Sequence, residues 1–239
     1  MNRKKLFVSF LLAALFLFTT LLYLSKVDDP VGRAGMRMVW GLIILWVCIG
    51  GSLMYFFRER IRSIVHRVDI HWQIKFVLFA TLLALCEEAV TVSMTNMAAI
   101  FGDLSGKAFI TASTNYFDVV LFHSVIVFIP FFISTALLLR RFQFSAFSIF
   151  VFFGIVGTIA EAVYAGSLAH TALFYQWLFV YGLMVYLPAY SIPQVRGATV
   201  PKWYHYILAV PYIFLIAFPM IAFIVFIITG VIDHPATHF

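Results

Sequence analysis

Repeated apolar runs, each close to the length that crosses a bilayer, constrain this chain more than any other feature. They fall at about 6–25, 38–57, 74–97, 116–139, 144–165, 168–190 and 205–230. Roughly 20 apolar residues in a helix span the hydrocarbon layer, which is about 30 Å thick. Backbone polar groups in lipid must be satisfied within their own segment, so runs of this length are helices. With 64% hydrophobic and 11% charged residues, the chain is far from the soluble norm of about half apolar and a quarter charged. The expected fold is therefore all-α: a polytopic integral membrane helical bundle of seven transmembrane helices, forming one domain over 1–239, with the lipid bilayer as its first partner.

The net charge of +6 would suggest nucleic-acid binding in a soluble protein, but here the basic residues lie between the apolar runs. They report topology instead. With the N-terminus cytoplasmic, Arg3, Lys4, Lys5, Arg58, Arg60, Arg62, Arg67, Lys75, Arg140, Arg141, Arg196 and Lys202 all face the cytoplasm. Only Lys26, Arg33, Arg37 and Lys107 lie opposite, a strong positive-inside bias. That bias places the C-terminus outside and implies a multi-pass protein of the plasma (inner) membrane, with no nucleic-acid partner. The apolar stretch after Lys5 is longer than a signal h-region and ends without a small-x-small site, so an uncleaved first helix is expected. Cys48 and Cys86 lie within apolar runs and read as packing residues. The stretch Arg58 to Trp72 is expected to lie along the cytoplasmic membrane surface, and 98–115 has room for a short re-entrant or interfacial helix.

Charged groups in the apolar layer are costly, which makes each one a functional candidate. Glu87, Glu88, Asp118, His123, Glu161 and His170 are these groups, and all map to the outer half of the membrane. At 1.5 Å per residue, Glu88 lies about 13 Å below the outer end of its helix and His123 about 10 Å below the start of the next. Thr81, Ala84, Glu88, Thr91 and Thr95 form a small, hydroxylated stripe that turns Glu88 inward. Glu87 is rotated by about 100° and ranks second. Gly154, Thr158, Glu161 and Ala165, with Gly157 beside them, form a second stripe that ends in a carboxylate. Asn115 and Asp118 have the spacing of an N-cap and its third-position acid. His170 shares a helix side with Phe174, Trp177 and Tyr181, aromatics expected to serve packing. His234 and His238 belong to a tail expected to fray.

Two glutamates and two histidines from separate helices suit a divalent metal, zinc first, with iron or manganese as alternatives. The expected ligands are Glu88, His123, Glu161 and His170. Glu88 and Glu87 are the expected acid/base groups, acting on a metal-activated water. The adjacent pair Glu87–Glu88 resembles the paired glutamates of the CAAX-type intramembrane proteases. That family has an arginine after three further residues and Phe-x-x-x-His on the next helix; here those positions hold Val92 and Val119. The reading is an integral membrane hydrolase with an outward-facing metal or acid/base site acting on a lipid or membrane-bound peptide. The alternatives are a proton- or ion-coupled transporter using the same Glu/His cluster, and a structural subunit of a membrane complex. His-Glu-x-x-His, Gly-x-Ser-x-Gly and glycine-rich phosphate loops are absent from the sequence.

Overall fold

The computed structural model describes residues 3–193 and 195–236. Among these, the named elements are all helices, and an isolated bridge pairs Phe142 with Thr199. The long helices are α1 (Arg3–Ser25), α2 (Pro30–Arg67), α3 (Trp72–Asn96), α4 in two limbs (Tyr116–His123 and Val125–Arg141), α5 (Ala146–Tyr164), α6 (Leu168–Tyr190) and α7 (Trp203–Val231). Six are long and apolar enough to cross a membrane, and the two limbs of α4, bent by 48°, bring the number to seven when taken as one span. The chain is a multi-pass α-helical membrane protein.

Several helices begin where side chains satisfy their free amides. Asp29 accepts from the Gly32 amide at 3.0 Å, with Pro30 in the first turn of α2. Asn115 accepts from Phe117 and Asp118 and starts α4, as its spacing predicts. Ser145 caps α5 through the Ser148 amide at 3.1 Å.

The helix ends sort into two layers. At one end His66 meets the Ser191 carbonyl at 2.8 Å, Gln143 donates to Ala198, and Arg196 donates to Leu139 and Phe142. This is the basic end. At the other, Arg37 donates to Phe101, Asn96 to Thr114, and Tyr164 to the Ala236 carbonyl at 2.8 Å. This is the tail end. Between them α6 is the central helix: 67% of its apolar window is buried, against 22% in α1 and 17% in α7.

Two sequence expectations are corrected. Arg58 to Arg67 do not form a separate surface helix; they continue α2, which runs on from Pro30 through a π-helical stretch at Ile43–Gly50. Its 38 residues reach about 57 Å, so the basic turns stand beyond the apolar layer. Residues 98–115 contain no helix beyond the turn that closes α3. They are held instead by Asp103, whose carboxylate accepts from the Ser105 hydroxyl at 2.5 Å and the Ala108 amide at 2.6 Å. Ala108 packs with Ala34, Met38 and Met94, which fastens the loop over α2 and α3.

The Ser105 hydroxyl, and then the Ala108 amide, hold the Asp103 carboxyl below the ordinary aspartate range. A carboxylate lowered on folding contributes stability above its unfolded value of about 3.9 and loses it as pH falls through the folded value. Hydrogen-exchange protection across 103–111, corrected for intrinsic rates, should therefore hold down to about pH 4 and then drop relative to α6. Asp103→Asn should remove that pH step. A step of the same size in the variant would show that another group sets it.

The closest packing joins α5 to α6. A Cβ on Gly154 would lie 2.6 Å from the Leu178 carbonyl oxygen, one on Gly157 2.0 Å from the Tyr181 ring, and one on Gly182 2.6 Å from the Phe150 ring. Three glycines thus remove the side chains that would separate the two axes. Phe128 meets Tyr181 edge-on at 5.3 Å, and Phe132 stacks on Phe153 at 5.3 Å, extending the core into α4. This contact sets Tyr181 beside the last turns of α5.

Candidate functional site

Near the tail end, α3 carries Glu87 and Glu88, with 3% and 6% of their surfaces exposed. Glu88 lies eight residues before the end of α3, about 12 Å along the axis. The Thr91 hydroxyl stands 3.1 Å from the Glu88 carboxylate Oε2. The Ser124 hydroxyl sits between the Val119 carbonyl, at 3.3 Å, and the Glu88 carboxyl. Glu87 is buried as well, although a 100° rotation separates it from the hydroxylated stripe: the inward face of α3 is wide enough to take Ala80, Glu87 and Met94.

From α5, Glu161 lies within electrostatic reach of both glutamates. The Tyr181 hydroxyl donates to Glu161 Oε1. His170, exposed in the 3₁₀ turn that opens α6, acts on Glu161 from the rim. Among the described residues, the groups acting on the three carboxyls are one another, hydroxyls and this histidine; none is a lysine or arginine. Three acids so placed must share protons or attract a cation, because like charges at close range cannot all remain ionised in a medium of low dielectric.

His123 belongs to a different group. The first limb of α4 ends in a π-turn, Val119–His123, and the helix bends at Ser124 (φ −109°, ψ −67°). In an α-helix residues 118 and 123 would point about 140° apart. The π-turn, which closes residue i on i+5, brings them to one side, so that His123 Nε2 is 3.7 Å from Asp118 Oδ2. His234 reaches the same carboxylate, with Nε2 2.6 Å from Oδ1. Its ring stacks on Phe122 at 4.4 Å and meets His123 edge-on at 5.0 Å.

The structure thus gathers Glu87, Glu88 and Glu161, sets exposed His170 at their edge, and places His123 with Asp118 and His234. Asp118 is more than a helix-start acid. The tail through Ala236 is docked rather than frayed; His238 lies outside the described residues. Sequence reading missed two members. The aromatic stripe predicts packing for Tyr181, yet a buried phenol needs a partner for its hydroxyl, and Glu161 provides one. His234 and Asp118 are 116 residues apart, and only the fold joins them. A hollow of about 250 Å³ between α3 and α4, lined by Gln73, Val77 and Ile133 among others, lies ten or more residues from Glu88, about 15 Å toward the basic end, and does not serve the acids.

Fold and site define a class: a multi-pass α-helical membrane protein with a buried carboxyl cluster beside a broken helix. Comparison with protein-family models, curated proteins and solved structures finds no match for the chain.

Proposed function

We propose that this protein is an integral plasma-membrane hydrolase of the paired-carboxyl acid/base type, acting on a lipid or a membrane-bound peptide. The observation that carries the reading is the convergence of Glu87, Glu88 and Glu161 with Tyr181, with no lysine or arginine acting on them among the described residues. Close carboxyls sharing protons supply a base and an acid side by side. Glu88, with the Thr91 and Ser124 hydroxyls to steady its anion, takes the proton from the attacking water. Glu87 returns a proton to the leaving group. Tyr181 fixes Glu161, and the sequence Glu88, Glu161, His170 runs from buried to exposed, a route for proton exchange with water at the tail end.

A second reading, a proton-coupled carrier, is favoured by one observation: α4 breaks at Ser124, beside Glu88, and broken helices commonly line the ion sites of carriers. One experiment separates the two. Protein reconstituted in vesicles of mixed bacterial lipid and a membrane-spanning peptide, in ¹⁸O-water, should place label in a released carboxyl group. Glu88→Gln should lower the rate by about 100-fold or more, as loss of a general base does. Unlabelled products from wild type, with pH-driven solute uptake that Glu88→Gln abolishes, would overturn the hydrolase reading in favour of the carrier.

A further inference from the structure

We propose that Asp118, His123 and His234 form a binding site for a first-row divalent metal ion, zinc foremost, that fastens the C-terminal tail to the break in α4. One ligand atom from each residue lies within 4.8 Å of the other two. Ligands about 2.0–2.1 Å from a tetrahedral zinc stand about 3.3 Å apart. The separations here, 2.6 Å from His234 Nε2 to Asp118 Oδ1 and 3.7 Å from His123 Nε2 to Asp118 Oδ2, lie on either side of that distance, one to each carboxylate oxygen. Small side-chain shifts would therefore seat an ion. Two imidazoles and a carboxylate suit zinc, iron(II) or manganese(II) and leave at least one position open for water or another ligand. The three side chains are only 6–13% exposed, so little water competes for the donors.

Local structure is shaped to bring these donors together. The π-turn turns Asp118 and His123 to one side of α4. Asp233 adopts φ 57°, a left-handed conformation that aspartate tolerates better than most residues, and it reverses the chain after α7. The His234 amide then closes on the Ile228 carbonyl at 3.0 Å, and Phe122 holds the imidazole flat against its ring. This site is separate from the carboxyl cluster, and the proposal stands whether or not the hydrolase reading does.

The test uses full-length protein with an N-terminal tag free of histidines, stripped with chelator and dialysed against zinc, then against cobalt. Wild type should retain one zinc per chain, and the cobalt form should show the visible absorption of a low-coordinate nitrogen/oxygen site. His123→Ala and His234→Ala should each weaken zinc binding at least about tenfold, since losing a ligand hurts no less than losing its support. Truncation after Ile232 should abolish binding while leaving helical circular dichroism and elution unchanged, which keeps the test sound if a point variant misfolds. Zinc should raise hydrogen-exchange protection of 232–236 in wild type alone. Wild type without stoichiometric zinc would overturn the proposal. So would normal binding by His234→Ala with loss in Glu88→Gln, which would place the ion among the carboxyls.

Discussion

Gly157→Ala should lower the stability of the bundle by about 3 kcal/mol, the upper end of what overpacking a tight core costs. The added Cβ would lie 2.0 Å from Tyr181 Cδ2 and 2.8 Å from its Cβ. The second atom sits at the root of the side chain, so ring rotation alone does not relieve the clash and the helices must separate. Separation also pulls Tyr181 from Glu161, so hydrolysis should fall along with stability. Gly35→Ala is the control: its Cβ would meet nothing within 4 Å, and alanine in a helix is favoured over glycine by about 0.5–1 kcal/mol. Unfolding of both variants by SDS titration in mixed micelles gives the comparison. Equal behaviour would mean that α5 and α6 are not held as closely as described.

Glu87→Leu should do the opposite to stability and more to activity: hydrolysis should fall by about 100-fold or more, while the midpoint of thermal unfolding rises. A carboxyl with 3% exposure beside two other acids is expensive to bury, and leucine of similar size removes that cost. Glu87 tests this better than Glu88, because removing the Glu88 carboxyl also takes a partner from the Thr91 and Ser124 hydroxyls and leaves them only backbone carbonyls. A residue kept for chemistry at the expense of the fold behaves this way; one kept for structure does not. A Glu87→Leu protein that unfolds as readily as Gly157→Ala would make the glutamate a structural element.

The membrane bundle was legible because lipid imposes a length and a hydropathy on every span, and those can be read directly from residues. Hydropathy marks the bilayer, however, and not the ends of helices. It put the second span at about 38–57, whereas α2 runs over Pro30–Arg67 and its charged turns stay helical in water. The inward direction of Glu88 and the small stripe of α5 followed from a period of 3.6. That same period hid the Asp118–His123 pairing, because a π-turn shifts the phase and leaves no plain sign in composition. The loop at 98–115 has the length for a short helix, and nothing in the sequence signals that Asp103 gathers the turn around itself. His234 lay beyond reach of any local pattern.

Helix α7 is the least enclosed of the long helices, touching its neighbours chiefly through Ala209, Ile213 and Ala217. It is nevertheless tied at both extremities. His205 packs on Phe142 at 4.2 Å and Tyr206 on Phe144 at 5.0 Å at the basic end, and His234 reaches Asp118 at the other. A rod anchored at two points cannot swing like a gate about either one. Its freedom is confined to the middle, where Pro211 and Pro219 each remove a backbone hydrogen bond. Any bending of this outer helix is therefore expected in its middle, between the two ties, and not at either end.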